Sequence, residues 1–137
     1  MIVADTSGLL ALFNRREPAH EAVRAIVAAE AEPLVVSPFV IAEVDYLVST
    51  RLGIEAELAV LTELAGGAYH LPAMPADLVD RARTVIERYR DQRIGITDAS
   101  LVVLAEEYRT HSVLTLDRRH FDVLRPLDGG EFHVLPS

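Results

Sequence analysis

Residues 98–108 read DASLVVLAEEY, and apolar side chains occupy almost every position of the first two turns. A helix of this composition has no polar face for water, which is typical of a helix buried inside a layered fold. Thr97 stands immediately before it as a common N-cap residue, and the positive end of the helix dipole stabilises the carboxylate of Asp98. The segment therefore predicts a central, buried helix that begins at its acidic residue.

Short apolar runs before and after this helix alternate with helical patterns. Ser37 followed by Pro38 is a strong helix start, and Gly53 and the pair Gly66-Gly67 end two helices. Because each run is continuously apolar, we predict a parallel sheet that helices cover on both faces, which places the chain in the α/β class. The predicted strands are residues 1–5 (MIVAD), 34–37 (LVVS), 68–71 (AYHL), 112–117 (SVLTLD) and 131–135 (EFHVL).

Length and composition set the limits of the fold. The chain has 137 residues, half of them apolar, so residues 1–137 are expected to form a single domain around one core. It has no cysteine, which excludes a disulfide framework and a thiolate zinc site. The N-terminus has no basic leader, and its apolar run is too short to cross a bilayer. We expect a cytoplasmic protein that does not contact a membrane.

The net charge of −8 would ordinarily argue against a nucleic-acid partner, because phosphates are bound by clustered basic side chains. All 13 basic residues are arginine, and nine of them lie in residues 69–137, where they face 11 acids. Part of the negative charge could instead form a site for divalent cations, which would reverse the local field. Net charge alone therefore excludes neither class of partner.

Four acidic residues stand at the ends of predicted strands or at the beginnings of the helices that follow. Asp5 and Asp117 close strands, Asp98 opens the buried helix, and Glu43 lies in the second turn of the helix after the second strand. Each acid alone has an ordinary explanation as a cap or a turn residue. In an open α/β sheet, however, the carboxyl ends of the strands border one crevice, so these side chains are expected to converge there.

Four carboxylates in one partly desolvated crevice repel one another strongly unless cations or protons neutralise them. Oxygen ligands select Mg²⁺ or Mn²⁺, and the five histidines show no spacing typical of zinc. Such an ion can lower the pKa of a bound water to form hydroxide and stabilise the leaving oxygen of a phosphodiester. Hydrolysis of nucleic acid is therefore the reaction hypothesis, with Asp5, Glu43, Asp98 and Asp117 as the catalytic set.

The sequence around these acids resembles the PIN-domain family over essentially the whole chain. The segments that carry the resemblance are DTSGLLALF (5–13), SPFVIAEVDYL (37–47), GITDASLVVLA (95–105) and VLTLDRRHF (113–121). Small proteins of this layout look like VapC-type toxins of bacterial toxin–antitoxin pairs. The resemblance implies a three-layer α/β/α sandwich with a five-stranded parallel sheet. It also implies an endoribonuclease dependent on Mg²⁺ or Mn²⁺, a VapB-type antitoxin as partner, and a homodimer.

The resemblance also implies roles for individual residues. Asp5 and Asp98 would be the principal metal ligands, Asp117 would complete the set, and Glu43 would act through water or assist water activation. Further expectations concern neighbouring residues: Arg118 and Arg119 could hold RNA phosphates at the rim. Thr6 and Thr115 stand where the family often has small hydroxyl residues near the acids, and the sequence leaves this role open beside those of a cap and a strand residue. His120 is expected to be an ordinary packed residue in a turn.

Two alternatives remain open at this level. One is a PIN nuclease in RNA processing or decay without a toxin role, and the other is a non-catalytic module whose acids hold a structural ion or a partner's arginines. Other classes are excluded by missing motifs: there is no phosphate-binding G-x-x-x-x-G-K-[ST], no G-x-G-x-x-G and no G-x-S-x-G elbow. A receiver-like phosphorylation domain resembles the layout but normally needs a lysine, which this chain lacks.

Overall fold

Four parallel strands form the sheet of this protein in a computed structural model that describes residues 1–137. Their order is β2-β1-β3-β4, and every neighbouring pair is parallel. β2 pairs with β1 on one side, and β3 pairs with β1 on the other side. The connections that leave β1 and β3 therefore run in opposite directions, and the point between these two strands is where they diverge. In α/β sheets a ligand crevice forms at the carboxyl ends of the strands at such a point. The strands are β1 (Val3–Ala4), β2 (Val35–Val36), β3 (Ser112–Leu114) and β4 (His133–Leu135).

Helices cover both faces of this sheet. Successive residues of a strand point to opposite faces, and both residues of β1 and of β2 are buried, so neither face of these strands meets water. The predicted α/β sandwich with a parallel sheet is therefore confirmed. No helix is both long and apolar enough to cross a membrane. The helices are α1 (Thr6–Phe13), α2 (His20–Ala29), α3 (Pro38–Leu52), α4 (Ile54–Ala65), α5 (Ala76–Arg88), α6 (Ile96–Glu107) and α7 (Arg118–Val123), with a 3₁₀ turn at Arg90–Gln92.

The predicted five-stranded sheet differs from the observed one at residues 68–71. There the chain makes only a single bridge, between His70 and Val35, although its two backbone hydrogen bonds, to Leu34 and Val36, have the length of ordinary ladder bonds. Gly66 and Gly67 precede this segment and Pro72 follows it, so few residues are available to extend the pairing. The fifth strand is therefore reduced to one bridge on the outer side of β2.

Helix α6 is the buried helix that the sequence predicted. All seven residues from Ala99 to Ala105 are buried, and the six apolar ones belong to a core of 28 apolar residues. The helix packs against α5, α3 and β1. Its exposed end is held by Arg81 of α5, whose guanidinium group donates to Glu106 and Glu107. Burial on several sides fixes where Asp98, in its first turn, can lie.

Gly8 allows α1 to begin against the end of β3. A Cβ atom at this position would lie 2.3 Å from the backbone oxygen of Leu114, which is far inside van der Waals contact. The backbone N–H of Asp5 donates to the same oxygen at 2.9 Å. Only glycine permits this close approach, and the approach brings Asp5 next to the residues that follow β3.

Candidate active site

A cavity of about 370 Å³ opens at the carboxyl ends of the strands, where the connections of β1 and β3 diverge. All four acids singled out from the sequence line it, although the helices and strands that carry them are far apart along the chain. The structure therefore brings the predicted set together in one cleft, which we call the acidic cleft. Its wall consists of Asp5, Thr6, Ser7, Leu10, Glu43, Leu47, Gly95, Thr97, Asp98, Asp117 and His120.

Asp5 is the most deeply placed of these carboxylates, with 7% of its surface exposed. The hydroxyl of Thr115, which is itself buried, donates to Asp5 Oδ2 at 2.7 Å. The same hydroxyl oxygen accepts the backbone N–H of Asp117 at 2.9 Å. Thr115 thus connects two acids of the cleft, so the structure favours the role near the acids that the sequence left open beside that of a strand residue.

Ser7 strengthens this connection from the side of α1. Its hydroxyl lies 3.1 Å from the hydroxyl of Thr115 and accepts the backbone N–H of Leu116 at 2.9 Å. Because the proton of Thr115 is donated to Asp5, Ser7 must be the donor in any hydrogen bond between the two hydroxyls. The two hydroxyls therefore join the start of α1 to the turn that carries Asp117. The Ser7 hydroxyl can also donate to Asp5 Oδ2 at 3.4 Å. Sequence reasoning did not single out Ser7, since its other two partners, Thr115 and Leu116, are more than 100 residues away.

His120 also belongs to the acidic cleft, and the expectation that ordinary packing accounts for it was wrong. Its Nδ1 lies 3.1 Å from Asp98 Oδ2 and 3.3 Å from Asp117 Oδ2. The reason is local: the segment after Asp117 is a helix rather than a turn, and residues three apart share one helix face. Asp117 caps this helix by accepting the backbone N–H of His120. The spacing Asp-x-x-His at a helix start was the signal that could have revealed it.

The carboxylates of the cleft are partly buried and close to one another, and both conditions affect their pKa values. Burial is the main cause that raises the pKa of Asp98 to about 6; the negative charge of Asp5 raises it further, and the nearby His120 opposes the shift. Burial also raises the pKa of Asp5, against the hydrogen bond from Thr115, with smaller contributions from Glu43 and Asp117. The cleft therefore favours whatever neutralises its carboxylates, either protons or cations.

The raised pKa of Asp98 predicts how stability depends on pH in the absence of divalent ions. The folded protein holds the Asp98 proton more tightly than the unfolded chain, so stability falls as pH rises from about 4 to about 6 and the loss is complete above that range. Asp98→Asn carries no charge and should be more stable than the native chain by about 1–2 kcal/mol at pH 8, after allowance for partial exposure. Urea unfolding in EDTA at several pH values measures this difference, which should shrink toward pH 4.5. A variant less stable than the native chain at pH 8 would contradict it.

Of the remaining predicted residues, Glu43 lines the cleft, whereas Arg118 and Arg119 do not. Glu43 is exposed and lines it from α3. Arg118 and Arg119 are both exposed, but the guanidinium group of Arg118 donates to the backbone oxygen of Pro136 at 2.9 Å, which ties it to the C-terminal segment. Arg119 makes no side-chain hydrogen bond or ion pair and is the freer of the two to meet a phosphate. Their contact with RNA stays a prediction.

The donor atoms of the cleft are of the kind that a hard divalent ion prefers, although the side chains do not form a complete set of ligands in this structure. No three histidine, aspartate or glutamate side chains are placed so that together they could hold a metal ion. Asp98 and Asp117, however, approach one position from two different helices, where the ring nitrogen of His120 now lies. The hydroxyl of Thr6, in the same wall, is buried without a hydrogen-bond partner. Oxygen donors, converging carboxylates and an unsatisfied hydroxyl are all suited to a hydrated Mg²⁺ or Mn²⁺ ion.

The arrangement of strands and acids agrees with a comparison to known families. The family model of the PIN domain matches residues 2–125, which include all four acids of the cleft. The chain belongs to the PIN-domain family. The matched residues begin before β1 and end just after α7, so they include every residue that lines the acidic cleft.

Individual PIN-domain relatives agree with this assignment. The chain is 56% identical over 135 residues to the protein named ribonuclease VapC26 of Mycobacterium tuberculosis strain ATCC 25618 / H37Rv, a match that covers 98% of this chain and 100% of the relative. Among solved structures it resembles the sarcin-ricin loop cleaving toxin VapC20 of Mycobacterium tuberculosis, with a TM-score of 0.78, 21% identity and coverage of 87% and 92% of the two chains. A second match is FitAcB from Neisseria gonorrhoeae, with a TM-score of 0.55, 20% identity and coverage of 82% and 85%. At these identities the two structures show the fold alone.

Proposed function

We propose that this PIN-domain chain is an endoribonuclease that hydrolyses RNA phosphodiester bonds and acts as the toxin of a VapBC-type pair. The observation that carries the proposal is one cleft in which Asp5, Glu43, Asp98 and Asp117 meet at the point where the sheet connections diverge. The relative with 56% identity is named a ribonuclease and aligns over nearly the whole chain, which supports the same activity.

The acids of the cleft would have different roles in hydrolysis. When bound by Asp5, Asp98 and Asp117, Mg²⁺ or Mn²⁺ would supply an activated water and stabilise the leaving oxygen. Asp5 is held rigid for this task by Thr115. Glu43 is exposed at the rim, where its carboxylate can accept a proton from the attacking water. His120, when protonated, offsets the charge of two acids and so reduces their repulsion of a phosphate.

Cleavage of a panel of structured and single-stranded RNAs tests this function. The native chain should cut at least one RNA with Mg²⁺ or Mn²⁺ and none with EDTA. Thermal unfolding provides a separate readout, because an ion that relieves the repulsion among the acids should raise the melting temperature. A folded chain whose melting temperature does not respond to either ion and that cuts no RNA would favour the non-catalytic binding module.

The proposed partner is a VapB-type antitoxin, and a groove beside the acidic cleft supports it. A cavity of about 490 Å³ with a mainly apolar wall lies among α1, α3 and α4. It shares Ser7, Leu10 and Leu47 with the acidic cleft, so one chain segment could fill the groove and reach the carboxylates. A basic side chain in that segment would neutralise the acids and block the site. A complex in which the cleft stays open would contradict this mode of inhibition.

We also propose that the protein forms a homodimer and acts in the cytoplasm. Several large apolar side chains of α3 and α4 are exposed and could lie at an interface between copies: Tyr46, Leu52, Ile54 and Leu58. Static light scattering of the isolated chain measures the oligomeric state. A mass of one chain across a wide concentration range would contradict the dimer while leaving the nuclease proposal intact.

A further inference from the structure

A pair of buried serine hydroxyls joins two of the helices that carry acids of the cleft. Ser37 and Ser100 are both fully buried, and their Oγ atoms lie 2.8 Å apart. Ser37 caps α3, the helix of Glu43, and Ser100 lies two residues after Asp98 in α6. No other side-chain hydrogen bond connects α3 with α6.

The directions of the hydrogen bonds in this pair follow from its neighbours. The hydroxyl of Ser100 donates its only proton to the backbone oxygen of Thr97 at 2.6 Å. The hydroxyl of Ser37 must therefore donate to Ser100, and its oxygen accepts the backbone N–H of Phe39 at 3.1 Å. Each hydroxyl has both a donor and an acceptor role, so the chain of bonds from Phe39 to Thr97 is complete.

This chain of bonds fixes the starts of two helices relative to each other. Phe39 lies in the first turn of α3, with Glu43 one turn further along, and Thr97 immediately precedes Asp98. A shift of one helix start against the other would break a bond between groups that water cannot reach, which is costly. The alternative of apolar packing would allow small sliding movements, because dispersion contacts have no strong direction.

We propose that Ser37 and Ser100 are positioning residues that set the distance between the carboxylates of Glu43 and Asp98, and thereby the ion affinity and turnover of the cleft. The inference rests on the proposed nuclease function. Neither hydroxyl lines the cleft, so both act through the helix starts and not by touching substrate or ion.

The test compares Ser37→Ala, Ser100→Ala and the double variant with the native chain. Mn²⁺ affinity is measured by calorimetry without RNA, and kcat and KM are measured on an RNA that the native chain cuts, at temperatures where every variant is folded by circular dichroism. We expect each single variant to bind Mn²⁺ roughly 5- to 10-fold more weakly and to lose roughly tenfold in kcat, with KM changed less than about twofold. Because both substitutions break the same link, the double variant should lose no more than either single one.

Ser49→Ala is the matched control. Ser49 lies in the same helix α3, but its hydroxyl donates to the backbone oxygen of Tyr46 within that helix and makes no bond to α6. This variant should match the native chain in Mn²⁺ affinity and in kcat. Should one serine variant fail to fold, the other tests the same link.

The outcomes separate the two proposals. Native-like Mn²⁺ affinity and kcat in both serine variants would overturn the positioning role while the nuclease function stands. Equal losses in Ser49→Ala would also overturn it, because the effect would then come from a general loosening of α3. A native chain that neither binds Mn²⁺ nor cuts any RNA would overturn the nuclease function, and the positioning proposal with it.

Discussion

Asp5→Asn should reduce RNA cleavage by at least about 100-fold, because a neutral amide at the deepest position of the cleft cannot replace a charged ligand. The variant should nevertheless fold. Asparagine has nearly the same shape, and its carbonyl oxygen can still accept the hydrogen bond from Thr115. Burial already raises the pKa of Asp5, so removal of its charge should leave the melting temperature unchanged or slightly higher. Initial rates of RNA cleavage and thermal unfolding, measured on the same preparation, check both parts.

Asp122→Asn provides the control for charge alone. Asp122 is exposed on α7 and does not line the acidic cleft. Its substitution removes the same charge and should leave cleavage within about twofold of the native rate, as expected for a surface change away from the site. If Asp5→Asn cut RNA as fast as Asp122→Asn, the acidic cleft would not be the catalytic site.

Gly8→Ala should destabilise the protein by about 3 kcal/mol, at the upper end of the usual cost of overpacking, because the added methyl group meets backbone and not a flexible side chain. The nearest atom is the oxygen of Leu114 at 2.3 Å, so α1 must move away from the end of β3. That movement also weakens the bond by which Thr115 holds Asp5. Urea unfolding measures the loss of stability, and cleavage by the folded fraction should fall as well.

Gly66→Ala is the control for this substitution. Gly66 follows α4 with a φ angle of −75°, which any residue adopts, and a Cβ there would lie 3.4 Å from its nearest neighbour. Its substitution should change stability by less than about 1 kcal/mol. Similar losses in both variants would mean that the contact between Gly8 and Leu114 does not hold α1 in place.

The acidic cleft has a simple physical origin. Parallel strands end at one edge of the sheet, and the helices that follow them begin there, so acids at these positions meet without any contact along the chain. Burial is the main cause that raises the pKa values of Asp5 and Asp98, and the repulsion of the neighbouring carboxylates raises them further. A bound cation would lower this repulsion, which is why we propose a divalent metal ion for this site.

The amino-acid sequence by itself predicted the parallel α/β fold, the buried helix α6 and the meeting of the four acids in one cleft. These features depend on patterns within 10 to 15 residues: an apolar run, a helix with no polar face, a cap, and an acid at the end of a strand. The family assignment, which rested on four such segments, was confirmed by the PIN-domain match. The prediction of a full strand at residues 68–71 was wrong, because the chain forms only one bridge there. A local apolar pattern does not show how many residues can pair at the edge of a sheet.

Only the tertiary structure decided which polar groups act together. The hydrogen bond from Thr115 to Asp5 joins residues that are 110 positions apart, and the one between Ser37 and Ser100 joins residues that are 63 positions apart. His120 lies beside Asp98 although the two residues belong to different helices. Arg118 is tied to the C-terminal segment in the same way. Such contacts need a distance near 3 Å and a correct angle, both of which are set by the packing of whole helices and strands. A sequence pattern states what each side chain can donate or accept, and the folded chain determines its partner.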